Sequence, residues 1–64
     1  MRWLKDLLAR GFVLELWQDG RKFHCLATRG SEPGRKGQTH VDRDPRRAAE
    51  GAVSMLTQEE LEST

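Results

Sequence analysis

The sequence predicts a two-layer α+β domain, α-β-β-β-α, in which a three-stranded antiparallel sheet carries both helices on one face. Three observations predict it. Met1, Trp3, Leu4, Leu7 and Leu8 recur with the i, i+3, i+4, i+7 spacing of one helix face. Two alternating runs flank Asp19-Gly20, a dipeptide that favours a two-residue hairpin turn. Near the other end, Ala49, Ala52, Val53 and Leu56 repeat at helical spacing, flanked by Ala48 and Met55.

The first helix is expected to stop at about residue 10, because Gly11 follows Arg10 as a helix terminator. It is too short to be helical alone and must lie on an apolar surface. The hairpin offers one. A turn centred on Asp19-Gly20 pairs Gln18 with Arg21 and sets Leu16 opposite Phe23, Leu14 opposite Cys25 and Phe12 opposite Ala27, an all-apolar inner face. The outer face then carries the pairs Val13/Leu26, Glu15/His24 and Trp17/Lys22. Residues 29–38 hold three glycines, a proline and no apolar side chain, and predict a mobile basic loop. Residues 39–43 have the β character of a short third strand. Asp44-Pro45 reads as an N-cap followed by proline at the first helical position. Within the last helix, Thr57-Gln58-Glu59-Glu60 has the form of a capping box, with Leu56 and Leu61 placed for a hydrophobic staple. A restart is expected there, with 58–64 a frayed acidic tail.

Size and composition exclude more than they identify. With 64 residues, one domain (1–64) is expected, hiding only about 60% of the surface its unfolded chain exposes. Ligand clefts of roughly 300–1,000 Å³ need walls that such a chain does not supply, so an enzyme with its own deep pocket and small-molecule substrate is not expected. No convergent set of nucleophile, base and oxyanion donors is visible. Cys25 is the one cysteine, and with His24 and His40 it makes neither a disulfide nor a zinc-binding spacing. No metal and no cofactor are therefore expected. Apolar runs are too short to span a membrane, and Met1-Arg2-Trp3-Leu4-Lys5-Asp6 breaks into charge too early for a signal peptide. A reduced, cytoplasmic setting is the reading.

The net charge of +1 hides an asymmetry. Residues 1–47 hold all eleven Lys and Arg against six acids, whereas 48–64 hold four Glu and no cation. Two surfaces follow as candidates. The first is the outer sheet face, where Val13, Trp17, Lys22, His24 and Leu26 present a tryptophan among aliphatic and polar neighbours, the composition of an interface centre. A protein partner or a homodimer would use it, and the first strand is expected to be an unpaired edge open to strand addition. The second is basic: Arg29, Arg35, Lys36, Arg43, Arg46 and Arg47, a loop and a helix start suited to the phosphates of a nucleic acid. Arg46 and Arg47 also have Glu50 within helical pairing distance. Gly51 is expected on the outer face of the last helix.

The element order resembles the double-stranded-RNA-binding domain, and Arg46-Arg47-Ala48-Ala49 looks like that family's basic, alanine-rich entry to its last helix. That resemblance implies duplex RNA as a partner, although Glu50 and the tight turn at Asp19-Gly20 depart from its pattern. The stretch 12–56, with Asp44 followed by Ala48 and Ala52, is also similar to HicB-type antitoxins and to the arm-binding domains of tyrosine recombinases. The primary functional expectation is a non-catalytic protein-binding module, a regulator or inhibitor acting through the outer sheet face. Nucleic-acid binding through the basic set is the alternative.

Overall fold

The computed structural model describes residues 1–30 and 37–62. Helix α1 (Arg2–Ala9) leads into strands β1 (Phe12–Asp19), β2 (Lys22–Arg29) and β3 (Gln38–Asp42), and the chain ends in helix α2 (Pro45–Glu62). The strands form one antiparallel sheet in the order β1-β2-β3, and both helices lie on the same face, so the fold is a small α-β-β-β-α domain. Arg35 and Lys36, with the rest of 31–36, and the last two residues of the expected tail lie outside the described residues.

The turn corrects the expected hairpin register. Asp19 pairs with Lys22, so the two loop residues are Gly20 and Arg21, and Leu14 meets Ala27, Leu16 meets Cys25 and Gln18 meets Phe23. Gly20 has φ 64° while no other residue type takes positive φ among the described residues. A type II′ turn, with glycine first and one left-handed position, satisfies this chain; a turn centred on Asp19-Gly20, for which type I′ is the usual form, would have forced Asp19 left-handed as well. Gln18 Nε2 donates to Gly20 O at 3.1 Å and braces the turn. The shift is two residues, so every side chain keeps its face. Phe12, Cys25 and Ala27 are buried as the alternation required, while Leu14 and Phe23 are partly covered.

Asp44 caps α2: its Oδ1 accepts the Arg46 N–H at 2.8 Å, and Asp42 Oδ1 accepts the Asp44 N–H at 3.0 Å. The helix then runs without interruption through Thr57. Thr57 Oγ1 donates to Val53 O at 2.9 Å, one turn back, and Glu60 Oε1 accepts from Arg29 Nη2 at 2.9 Å. Both ends of the expected capping box are thereby engaged elsewhere, the helix does not restart, and α2 extends to Glu62. Leu56 is buried, and Leu61, expected to staple to it, stays largely exposed.

The core sits between α2 and strands β2 and β3, with Leu7 of α1 and Phe12 of β1 closing one side. Ala48, Ala49 and Ala52 are all essentially inaccessible, and these small side chains let the helix lie close to the sheet. The approach is also close at Gly51, which faces the sheet and not the solvent as expected. A β-carbon there would fall 2.2 Å from Cδ2 of His40, so the imidazole occupies the space that any side chain at 51 would need. Alanine raises intrinsic helix stability by about 1 kcal/mol over glycine, but overpacking a close contact costs about 1–3 kcal/mol. Gly51→Ala is therefore expected to destabilise the wild type in urea unfolding, and to stabilise a His40→Ala background, where the space is free. Stabilisation in both backgrounds would show that His40 does not fill this gap.

Candidate functional site: the open sheet face and its basic corner

Because both helices cover one face, the other is bare among the described residues. Its side chains come from alternate positions of all three strands and stand in rows: Val13 with Thr28; Glu15 with Leu26 and Thr39; Trp17 with His24 and Val41; Asp19 with Lys22. The expected pairing of Glu15 with His24 is thus replaced by Trp17 with His24, and Lys22 sits opposite Asp19. Trp17 and His24 stack, with ring centroids 5.3 Å apart and planes 9° from parallel, an offset arrangement favourable for two aromatic rings. Trp17 remains 45% exposed, and Val13 and Val41 are open to a similar degree. His24 and Leu26 are half-buried between them. Val41 was missed by the residue-level reading, although the third strand's alternation places it outward; its strand lay too near the loop for its face to be assigned with the others. Asp19 Oδ2 lies 3.8 Å from His24 Nε2 and can pair with the protonated ring.

Among the described members of the expected basic set, Arg29 lies apart from Arg43, Arg46 and Arg47. Arg29 ends β2 at the carboxyl end of α2, where its Nε and Nη2 bond both carboxylate oxygens of Glu60 at 3.1 and 2.9 Å. Its Nη1 donates to Arg10 O at 2.9 Å, and its guanidinium carbon lies 4.1 Å from the Phe12 ring centroid. The Glu60 hydrogen bond raises the Arg29 pKa, so this group stays cationic and committed. Arg43, Arg46 and Arg47 lie at the opposite end, around the start of α2, an eight-residue strand or about 23 Å away. Arg46 pairs with Glu50 at 3.5 Å, whereas Arg47 makes no ion pair among the described residues.

Two of the expected cations, Arg43 and Arg47, come together with Lys22. Lys22 at the start of β2, Arg43 after β3 and Arg47 in the first turn of α2 line a shallow depression with Val41 and Asp42. None of the three cations has an ion pair among the described residues. Lys22 was assigned to the protein interface alone, because the linear sequence separates it from Arg43 by twenty-one positions. The antiparallel pairing of Phe23 with Asp42 is what brings them together.

On the inner face, the register sets Cys25 beside His40, a juxtaposition that can generate a reactive thiolate. Here burial pushes the Cys25 thiol pKa up and the residue is fully inaccessible, which is the chemistry of a core side chain. No group of three or more potential metal-ligating residues occurs among the described residues. Among the described residues no helix is long and apolar enough to cross a membrane. No protein-family model matches this chain, and comparison with curated proteins and with solved structures finds no match.

Two outcomes follow. At pH 8, iodoacetamide is expected to leave Cys25 unmodified in folded protein and to alkylate it once urea unfolds the chain; fast labelling without denaturant would contradict the buried, raised-pKa thiol. Arg29→Lys is expected to lower the melting temperature more than Arg46→Lys, because lysine cannot reproduce the two-pronged grip on Glu60.

Proposed function

We propose that this domain is a non-catalytic protein-binding module, a regulator or inhibitor that meets its partner through the outer sheet face. The observation that carries the reading is the uncovered row Trp17, His24, Val41, with Val13 and Leu26 beside it. An aromatic side chain held by stacking and surrounded by half-open aliphatic groups loses little freedom on binding and presents a large apolar area. Lys22 and Asp19 flank the row and supply a charged rim. Cytoplasmic residence fits a chain whose one thiol is buried and unpaired.

A second reading is favoured by the corner formed by Lys22, Arg43 and Arg47: contact with the phosphates of a nucleic acid. In that case affinity falls steeply with salt, and no such fall is expected if an apolar row dominates. The test is affinity capture from an extract of the source cells, followed by binding measurements on the captured partner. Trp17→Ala is expected to weaken that partner by about 2 kcal/mol, roughly thirtyfold in Kd, with Arg47→Ala nearly neutral. Undiminished capture by Trp17→Ala, together with salt-sensitive binding of duplex RNA or DNA lost in Arg47→Ala, would replace the first reading by the second.

A further inference from the structure

We propose that the domain pairs with a second copy of itself through the free edge of β1, making one six-stranded antiparallel sheet across a two-fold axis at Leu16. Among the described residues the edge of β1 is open, since β2 occupies its other side. Natural sheets protect such edges with lysine, proline or a bulge. This strand, Phe-Val-Leu-Glu-Leu-Trp-Gln-Asp, contains no cation and no proline, and its register with β2 runs unbroken over all eight residues.

Helix α1 is too short to cover the strand. Eight helical residues span about 12 Å, against about 23 Å for eight residues of strand. Burial of the inward β1 positions falls accordingly, from Phe12 at 2% through half-buried Leu14 to Leu16 at 42% and exposed Gln18. Leu16 borders an apolar cleft of about 180 Å³ that also touches Leu4, Leu8 and Leu14. Leu8, Val13, Leu16 and Trp17 are exposed on both sides of this one edge, more apolar surface than the rest of the sheet shows.

Charge selects the register. A two-fold axis normal to the sheet preserves faces only when it passes through a residue position. An axis at Glu15 sets that carboxylate against the partner's Glu15, and one at Trp17 sets Glu15 against the partner's Asp19. An axis at Leu14 pairs only five strand residues. At Leu16, residues 13–19 all pair: Leu16 meets the partner's Leu16, Glu15 meets the partner's Trp17, and Val13 meets the partner's Asp19, with no acid directly facing an acid. The covered half of each strand then lies beside the bare half of the other. The sheet faces stay aligned, so two Trp17–His24 stacks share one continuous outer surface.

Sedimentation equilibrium on the full chain at tens of micromolar is expected to give twice the 7.3 kDa chain mass. Leu16→Lys is expected to sediment as a monomer, and Val41→Lys, on the outer face away from this edge, as a dimer that has lost the outer-face partner. Isotope-filtered NOE spectra of mixed labelled and unlabelled wild type are expected to connect Trp17 of one copy with Glu15 of the other, a readout that does not depend on any variant folding. A wild type that stays monomeric, a Leu16→Lys variant that stays dimeric, or a dimer lacking the Trp17–Glu15 contacts overturns the proposal. The outer-face reading is judged separately, by partner capture.

Discussion

The packing of the alanine face of α2 on β2 and β3 is the contact on which the rest of the molecule depends. Ala48, Ala49 and Ala52 bring the helix close enough for His40 to fill the gap at Gly51, and the core of this small chain is built there. A helix of large side chains would stand farther off and bury more area per residue. This one gains its stability from proximity to two strands at once. With α2 packed mainly on β2 and β3, it reaches β1 only in part, and α1, the other element on β1, is half as long as the strand needs. The incomplete cover of Leu16 is thus a consequence of where α2 packs.

The uneven charge of the chain has a matching spatial solution. The acidic end of α2 returns to the end of the sheet where Arg29 sits, and Glu60 grips that guanidinium with both oxygens. Bidentate geometry makes this stronger than an ordinary surface pair, and Phe12 beneath the guanidinium adds a cation–π contact while closing the core. One arginine therefore joins the hairpin, the α1 terminus through Arg10 O, and the last turn of α2. At the other end of α2 the acids are used differently: Asp42 and Asp44 accept backbone N–H groups. Lys22, Arg43 and Arg47 are left without carboxylate partners among the described residues, and this division of the acids creates the basic corner.

What the sequence made legible was whatever depends on period. Element order, the inner and outer faces of the hairpin, the Asp44 cap and the apolar face of α2 all follow from spacing within a few residues. What it hid depends on distance along the fold. Asp19-Gly20 specifies a turn but not which of two turns, because a two-residue shift leaves every face unchanged and is invisible to alternation. Thr57 and Glu60 have the spacing of a cap, yet Glu60 meets Arg29, thirty-one residues earlier, only after the sheet has formed. Gly51 could not be understood without His40. The six basic residues looked like one group because five of them cluster at 35–36 and 43–47 in the sequence while Arg29 borders the loop. β2 carries that loop's starting point to the far end of the sheet from the α2 N-terminus.

The same two-residue shift decides what the open face can do. In the register expected from the sequence, Trp17 would lie beside Lys22 and His24 beside Glu15, giving two polar pairs and a face broken by charge. In the observed register the ring of His24 packs flat against Trp17, Lys22 moves outward to face Asp19, and Val41 completes an apolar row across all three strands. Charge is displaced to the hairpin end and the centre becomes aromatic and aliphatic. An apolar centre with a charged rim is the layout that the proposed protein-binding role calls for, and it arises because glycine, and not aspartate, takes the left-handed position of the turn.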